Sequence, residues 1–316
     1  MNCLILGGGG FLGSHLTECL VGLGHAVRIF EKAGFSRQNL AGVIDRIEVM
    51  EGDFGREDDA ERTLKDIDVV FHLASTTLPA SSNADPPHDI ASNVLPTVRL
   101  LEVAKKARLK KLVFFSSGGT VYGIPKRIPI DEEHPTDPIC SYGIHKLTIE
   151  KFLHLYHHLF HLNYCVLRIS NAFGERQSPT SGQGAIAAFL SSALRGDPIE
   201  VWGDGSAVRD YIYVSDIVEA AIAASQHRPG SGVFNIGSGT GTSLRQVIDM
   251  VSQAVDLPLE VRFAPPRALD VPSNVLSIAK AKEGLSWSPK VELAHGIRLM
   301  LRKRVGGDAA RDAGVP

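Results

Sequence analysis

The chain has 316 residues, 44% of them hydrophobic and 22% charged, which is enough apolar material for a large globular core. A formal net charge of -2 excludes bulk electrostatic attraction to nucleic acid or to an anionic membrane. No apolar run reaches the roughly 18 residues that span a bilayer, and no basic region precedes the first apolar run, so we expect neither a membrane span nor a signal peptide.

Strand-like runs alternate with helical patterns over residues 1–170. The predicted strands are 2–6, 26–30, 46–50, 69–72, 111–115 and 164–169. Several are continuous apolar runs, which is typical of strands buried on both faces, and the stretch 97–108 has helical spacing. The alternation predicts an α/β fold, a Rossmann-type doubly wound parallel sheet with right-handed crossovers.

The pattern changes after Asn171, where Gly, Pro and Ser become denser. Helical stretches at 185–195 and 244–255 predict a smaller α/β lobe over 171–302. Two later strand-like segments, 210–214 and 232–236, are expected to return to the first sheet, so that about 208–238 interleaves the two lobes. Residues 303–316 lack periodicity, and we expect a disordered tail there.

A glycine cluster directly follows the first predicted strand and opens a helix. It reads Gly-x-x-Gly-x-x-Gly and comprises Gly7, Gly8, Gly9, Gly10, Phe11, Leu12 and Gly13. Such glycines allow a tight turn, a close approach of backbone to a pyrophosphate and close packing of the helix, whose N-terminus offers free N–H groups to phosphates. Glu31 ends the next predicted strand, where a carboxylate accepts hydrogen bonds from the adenosine ribose and repels a 2′-phosphate. We therefore predict NAD rather than NADP, although the neighbouring Lys32 weakens this discrimination.

Residues at the ends of the third and fourth predicted strands are expected to face the cofactor. Asp53 is placed to accept from the adenine amino group and Phe54 to pack on the ring, with an ordinary turn as the alternative for Asp53. Asn93 is predicted to open the following helix as its N-cap, with or without a second role in steadying the active-site backbone. Small residues that let the cofactor lie close are expected in the stretch Leu73, Ala74 and Ser75.

Tyr142 and Lys146 form a Tyr-x-x-x-Lys pattern, which places both side chains on one face of a helix. A lysine cation and a positively charged nicotinamide favour the phenolate and lower the tyrosine pKa from its usual value of about 10. The phenolate then takes a hydroxyl proton while hydride leaves the same carbon for NAD. The stretch 116–123 follows a central predicted strand, at the sheet edge where ligands bind in open α/β sheets.

These segments together resemble the extended short-chain dehydrogenase/reductase family, in its nucleotide-sugar epimerase/dehydratase branch. The resemblance covers about residues 1–300. It rests on the glycine cluster, Tyr142 with Lys146, and the stretches 116–123, 168–171, 202–205, 209–214 and 235–237.

The resemblance implies an NAD-dependent nucleotide-sugar 4-epimerase acting on a UDP-hexose, a UDP-N-acetylhexosamine or a UDP-uronic acid. In this family C4 is transiently oxidised, the keto sugar rotates, and hydride returns to its other face. A nucleotide-sugar dehydrogenase or 4-keto reductase, and a catalytically silent NAD-binding scaffold, are the alternatives. The family also implies a homodimer formed by the helix at 97–108 and the helix that begins near Tyr142.

The resemblance also suggests roles for individual residues. Ser116, with Tyr142 and Lys146, is expected at the cofactor. Asn171, Arg209 and Arg267 fall where the family binds the nucleotide diphosphate, Asp270 where it binds the nucleotide ribose, and Asn274 where it guards the sugar pocket.

One departure concerns the catalytic hydroxyl. The family's Ser or Thr falls on Gly118, so Ser117, Thr120 or a water must replace it, and we name Ser117 as catalytic and Thr120 as substrate-binding. The family's dehydratases carry Asp-Glu where this chain has Gly119 and Thr120, and its decarboxylating members have an acidic residue in the same stretch. Neither activity is therefore favoured.

The remaining titratable residues give weaker expectations. The cysteines have no C-x-x-C spacing, which indicates free thiols and a cytoplasmic protein: Cys3, Cys19, Cys140 and Cys165. A histidine group has helical spacing but lacks the expected carboxylate or cysteine ligands nearby, so we predict no metal site: His154, His157, His158 and His161.

Overall fold

A computed structural model of the chain describes residues 1–180, 183–227, 231–266 and 271–312, with side chains as far as residue 304. The strands are β1 (Asn2–Leu6), β2 (Ala26–Glu31), β3 (Glu48–Glu51), β4 (Val69–His72), β5 (Lys111–Ser117), β6 (Tyr164–Ile169), β7 (Asn171–Phe173), β8 (Ile199–Trp202), β9 (Val208–Tyr213), β10 (Gly232–Ile236), β11 (Gly241–Ser243), β12 (Val261–Ala264) and β13 (Ser273–Asn274). The α-helices are α1 (Phe11–Gly22), α2 (Glu57–Leu64), α3 (Pro86–Asp89), α4 (Leu95–Ala104), α5 (Ser141–Phe160), α6 (Ala185–Arg195), α7 (Val214–Gln226), α8 (Leu244–Val255), α9 (Ala279–Leu285) and α10 (Leu293–Asp312).

The central sheet has seven parallel strands in the order β10-β6-β5-β4-β1-β2-β3. Successive side chains of a strand point to opposite faces, and β1 shows this directly. Cys3 and Ile5 belong to one buried apolar cluster, while Leu4 and Leu6 belong to a second cluster on the other face. The doubly wound parallel sheet predicted from the sequence is confirmed, because both faces of its strands are covered.

The chain order reverses at β1, which pairs with β2 on one side and β4 on the other. In open α/β sheets ligands bind outside the carboxyl ends of the strands at such a reversal. The glycine cluster follows β1 at this edge. The segments that follow β4 and β5 begin at the same edge. The fold therefore brings the candidate segments of the first 150 positions to one edge of the central sheet.

A smaller lobe is built from the later segments. Strands β7, β9, β11 and β13 form a four-stranded sheet, β8 pairs with β12, and α6, α8 and α10 surround a separate apolar cluster. The prediction that 232–236 returns to the central sheet is right, since β10 pairs with β6. The same prediction for 210–214 is wrong. β9 pairs with β7, β11 and β13 instead, because it serves two cores: Ile212 packs in the main cluster, and Tyr211 and Tyr213 pack in that of the lobe.

The last helix differs from the expected disordered tail. Residues 303–312 continue α10 as helix, and residues 313–316 lie outside the description. This stretch contains one Lys, two Arg and two Ala, which favour helix, beside two Gly, which do not, so missing periodicity did not exclude a helix. Within the described ranges, no helix has the length and apolar character needed to cross a membrane.

Candidate active site

The glycine cluster forms a tight loop between β1 and α1. Gly7 has a φ of +88°, a conformation that glycine adopts without strain, and its N–H donates to the carbonyl of Phe30 over 3.1 Å. A Cβ on Gly13 would lie 2.0 Å from the carbonyl oxygen of Gly7, so only glycine allows this approach of helix to loop. Gly7, Gly10, Phe11, Leu12 and Gly13 all line one large cavity, with the N-terminus of α1 at its edge.

Glu31 lies beside this loop, as the sequence predicts for a ribose ligand. Its Oε1 accepts a hydrogen bond from the Gly9 N–H over 2.7 Å. Burial raises the pKa of Glu31, against the lowering effects of that hydrogen bond and of the charge on Lys32. Lys32 itself is exposed. The turn, the helix N-terminus and the carboxylate have the chemistry that NAD binding requires, and the contacts of individual residues with NAD stay predictions.

Asp53 and Phe54 make structural contacts. Asp53 is exposed, and its carboxylate accepts from the Gly55 N–H over 2.8 Å, which is the ordinary turn that the sequence left open. Phe54 packs edge-on against Phe30 and His72, with ring centroids 6.4 and 5.6 Å away. In the described part of the chain neither residue lines the large cavity. A contact of either residue with adenine therefore stays a prediction.

Asn93 does not act as an N-cap. It lies inside a helical run from Pro86 to Ala104 that includes a π-helical turn at Ile90–Val94, and the cap of α3 is Asp85. The prediction was wrong because the helix begins earlier than its apolar spacing shows. The side chain still steadies the backbone after β4, since its Oδ1 accepts from the Thr76 N–H over 2.9 Å. In that segment Leu73 lines the cavity, Ala74 packs on Gly7, and Ser75 is exposed.

One cavity of about 1210 Å³ runs from the glycine loop into the smaller lobe. Tyr142 and Lys146, at the start of α5, lie in its wall. The Lys146 ammonium donates to the Phe115 carbonyl over 3.0 Å and lies 5.5 Å from the centre of the Tyr142 ring. A residue outside the helix holds the first turn of α5, because the Tyr142 N–H donates a hydrogen bond to the Ser82 hydroxyl over 3.0 Å. The structure thus brings the two predicted residues together.

The pKa of Tyr142 does not move in the expected direction. Burial, with smaller effects of Cys140 and Asp89, raises it, and burial also lowers the pKa of Lys146 to about 8. Both shifts have the same main cause, because burial disfavours the charged form of each group. The Lys146 ammonium donates to a backbone carbonyl. In the protein alone, its charge does not offset the rise that burial causes in the pKa of Tyr142. NAD, when bound, would supply a positive nicotinamide charge, which favours the ionised form of a phenol.

The hydroxyls after β5 surround this pair. Ser116, Ser117, and Thr120 all line the cavity. Ser116 donates to the Glu150 carboxylate, whereas Thr120 Oγ1 is buried with no hydrogen-bond partner in the described structure. A Cβ on Gly118 would lie 2.6 Å from Leu276 Cδ1, so this position is closely packed and does not line the cavity. A hydroxyl for the substrate can come from Ser117 or Thr120.

Two of the predicted substrate residues also line the cavity. Asn171 follows β6 and donates to the Asp210 carbonyl over 3.0 Å, and Arg209 lies on β9. Arg267 and Asp270 lie outside the described residues. Asn274 is buried, donates to the Gly118 carbonyl over 3.1 Å and does not line the described cavity, so it supports the loop after β5.

The sequence reasoning missed the buried groups behind the cavity. Glu150, one turn after Lys146, forms an ion pair with Arg168 at 2.6 Å. His145 lies between the two motif residues in sequence and contacts Asp89. A titratable residue inside the Tyr-x-x-x-Lys pattern was a usable signal for His145, whereas nothing local marks Asp89. No group of three or more potential metal ligands occurs among the residues described.

Comparisons with known proteins agree with this geometry. The model of the NAD dependent epimerase/dehydratase family matches residues 3–237. A UDP-glucose 4-epimerase of Mycolicibacterium smegmatis is 37% identical over 304 residues, covering 94% of this chain and 96% of the relative. The crystal structure of a Thermotoga maritima UDP-glucose 4-epimerase with UDP-glucose has a TM-score of 0.92 at 35% identity and covers 97% of this chain and 99% of that one.

A third similarity involves a different sugar. A UDP-N-acetylglucosamine 4-epimerase of Methanobrevibacter ruminantium, in complex with UDP-N-acetylmuramic acid, has a TM-score of 0.91 at 27% identity, covering 97% of this chain and 98% of that one. The family resemblance and the dependence on NAD predicted from the sequence are confirmed. The chain belongs to the NAD-dependent epimerase/dehydratase family, within the extended short-chain dehydrogenases/reductases.

Proposed function

We propose that this chain is an NAD-dependent nucleotide-sugar 4-epimerase whose substrate is a UDP-hexose with an uncharged sugar. The observation that carries the proposal is one continuous cavity that includes the glycine loop, Tyr142 with Lys146, and Arg209. Its volume of about 1210 Å³ provides room for a dinucleotide and a nucleotide sugar together. The similar proteins named as UDP-glucose 4-epimerases support the choice of nucleotide and of reaction.

The uncharged sugar is inferred from the cavity wall near Tyr142. Besides the hydroxyls that follow β5, the lining here includes Pro79, Ala80, Ile139 and Cys140, of which Pro79 and Ala80 belong to the loop that contacts the start of α5. Among the described lining residues, the only lysine and arginine are Lys146 and Arg209. A desolvated carboxylate on C5 needs a cation or several donors. A hydroxymethyl group at C5, or an N-acetyl group at C2, suits this wall better than a uronic acid.

The residues of the chain then have distinct tasks. NAD, when bound, supplies the acceptor and donor of the C4 hydride. Tyr142 takes the proton of the 4-hydroxyl and returns it, and Lys146 holds a positive charge behind the phenol. Ser117 hydrogen-bonds the reacting oxygen and Thr120 another sugar hydroxyl, and Asn171 and Arg209 hold the diphosphate while the keto sugar rotates. We assign Glu31 to the adenosine ribose.

The alternatives lack equivalent support. The stretch 116–123 contains no acidic residue, which disfavours elimination of water or loss of carboxylate. A silent scaffold does not require Tyr142 and Lys146 in the wall of one cavity. A 4-keto reductase shares these residues, so the reaction itself must discriminate between it and an epimerase.

The discriminating experiment follows a deuterium label. Purified protein is incubated with UDP-galactose deuterated at C4, and in parallel with UDP-N-acetylgalactosamine and UDP-galacturonic acid. An epimerase converts UDP-galactose to UDP-glucose, retains the deuterium at C4 in the NMR spectrum and consumes no NAD or NADH. Net change of NADH absorbance with loss of label would instead show a dehydrogenase or reductase. Faster conversion of UDP-galacturonic acid than of the other two substrates would overturn the inference that the sugar is uncharged.

Matched variants test the two hydroxyls. Ser117→Ala should lower kcat about 10-fold, because it removes a hydrogen bond to an oxygen whose charge changes in the reaction. Thr120→Val should mainly raise KM. If Ser117→Ala had the kcat of the wild type and Thr120→Val lost most of its kcat, the catalytic role would belong to Thr120 instead.

We also propose a cytoplasmic homodimer. Two neighbouring helices expose apolar residues, which supports burial of this face against a second copy: Leu95 on α4, and Ile144, Leu155 and Leu159 on α5. Light scattering during size-exclusion chromatography should give twice the mass of 34.0 kDa, and Leu155→Glu should give the monomer.

The cytoplasmic location has a separate basis. The free cysteines support a reducing compartment.

A further inference from the structure

Behind Tyr142 lies a buried carboxylate that neither the sequence pattern nor the proposed mechanism uses. Asp89 ends α3 and is fully buried. Its oxygens accept hydrogen bonds from the side chains of Thr77, Asn93 at 3.1 Å, Ser141 at 2.6 Å and His145 at 2.9 Å. Burial disfavours the charged form, but the donors from Ser141, Thr77 and His145 outweigh it and lower the pKa of Asp89. The carboxylate is therefore ionised at neutral pH.

His145 connects this charge to the candidate base. Since the ionised Asp89 can only accept, Nδ1 of His145 carries the proton of their hydrogen bond. The ring is 1% exposed and packs edge-on against the Tyr142 ring, with centroids 4.9 Å apart at 70°. Its Nε2 is buried and has no hydrogen-bond partner within the described structure. Burial first, and then the Lys146 charge, lower the pKa of His145 to about 4 despite Asp89, so the imidazole is neutral.

The charged and titratable groups around His145 come from several elements. Asp89 approaches from α3, Tyr142 and Lys146 belong to α5 itself, and His72 at the end of β4 interacts electrostatically with both His145 and Lys146. Cys140 precedes α5 and acts on Tyr142, and Glu150 acts on Lys146 but is paired with Arg168. Asp89 is thus the anion that acts on both Tyr142 and Lys146.

We propose that Asp89 and His145 are a positioning pair for the reaction, in which the imidazole supports the Tyr142 ring and its N–H screens the Tyr142 hydroxyl from the Asp89 carboxylate. Neither residue touches the reacting atoms. The screening follows from chemistry: a donor bound to a carboxylate draws charge away from its surroundings. The proposal builds on the proposed epimerase function, which requires Tyr142 to ionise near neutral pH.

Three variants separate screening from simple packing. His145→Ala leaves the Asp89 charge unscreened, so the pKa of Tyr142 should rise by about one unit. His145→Asn keeps an N–H near Nδ1 and should restore the wild-type value. Asp89→Asn removes the charge with little change of shape and should lower the pKa of Tyr142 by a similar amount. The expected shifts of His145→Ala and Asp89→Asn are therefore opposite in sign.

The measurement is the ultraviolet absorbance of the phenolate against pH in the NAD-loaded protein, with Tyr142→Phe subtracted. This readout needs no turnover, so it can fail separately from the epimerase proposal. The acidic limb of kcat against pH, where turnover is observed, should move by the same amounts and in the same directions. A structural role would lower the midpoint of thermal unfolding and kcat at every pH without moving either titration.

Two results would overturn the proposal. One is an unchanged Tyr142 titration in folded His145→Ala, and the other is a shift of Asp89→Asn in the same direction as His145→Ala. If Asp89→Asn fails to fold, the contrast between His145→Ala and His145→Asn decides: a shift in the first with recovery in the second supports screening, and equal behaviour of the two rejects it.

Discussion

The two halves of the cavity are built in different ways. In the cofactor half, residues 1–170, the glycine loop, Ser117 and Tyr142 lie at or close to the ends of strands of one parallel sheet, so short segments of chain each supply part of the wall. In the substrate half, the wall combines Asn171, Trp202, Arg209 and Pro272, which come from separate segments after residue 170. The first half depends on local patterns at strand ends, and the second depends on long-range pairing such as that of β9 with β7 and β13.

Tyr142→Phe tests the residue at which both halves meet. Loss of the phenolic hydroxyl removes the general base, so kcat should fall about 1,000-fold. The ring still packs on His145, so the protein should fold and retain NAD. Turnover of UDP-galactose and the NAD content of the purified variant are the two measurements. A rate within a few-fold of wild type would exclude Tyr142 as the base.

Gly13→Ala tests the cofactor half alone. A Cβ there would lie 2.0 Å from the Gly7 carbonyl oxygen, so the loop must shift, at a cost of about 3 kcal/mol. NAD should bind about 100-fold more weakly by calorimetry. Gly22→Ala, at the end of the same helix, is the matched control, because nothing lies within 4 Å of its Cβ. Normal NAD affinity in Gly13→Ala would show that the loop does not bind the cofactor.

Arg209→Gln tests the substrate half. Loss of a charge-assisted hydrogen bond to the diphosphate should raise KM for the UDP-sugar about 30-fold, with little change in kcat or in NAD binding. Arg195→Gln is the control, because Arg195 is an exposed residue of the same lobe that pairs with Asp197. Weaker NAD binding in Arg209→Gln would break the division of the cavity into two halves.

The same division explains what could be read from the sequence. Strand ends and the glycine cluster are encoded within a few residues, so the positions of Glu31, Tyr142 and Lys146 were predictable. Asp53 and Phe54 were placed at the cofactor because they follow β3, but the exposed turn at Asp53 and the ring contacts of Phe54 depend on neighbours from α2, β2 and β4.

The remaining differences also come from partners far apart in sequence. Asp89 meets His145 across 56 residues, and the close packing of Gly118 depends on Leu276. Such pairings leave no periodic trace in a single chain. The resemblance to a family supplied the roles of Asn171 and Arg209, which spacing alone does not show.

Acid should loosen the cofactor half before the substrate half. Burial lowers the pKa of His72 to about 3 and that of His145 to about 4, whereas an unfolded histidine titrates near pH 6.5. Between pH 6.5 and 4 the unfolded state therefore binds protons that the folded state does not, and the free energy of unfolding should fall with falling pH by up to about 1.4 kcal/mol per unit for each histidine. In the substrate half burial instead raises the pKa of Asp210, which gives the opposite sign near pH 4.

Urea unfolding at a series of pH values measures this slope, and hydrogen exchange shows which half opens. His145→Asn should reduce the slope by about one proton, and His158→Asn, at an exposed position of the same helix, is the matched control. Exchange at pH 5 should accelerate in the first turns of α5 before it does in α6 and α8, because His145 lies in α5 and His72 in the neighbouring strand layer. Simultaneous opening of both halves would mean that they unfold as one unit, in spite of their separate apolar clusters.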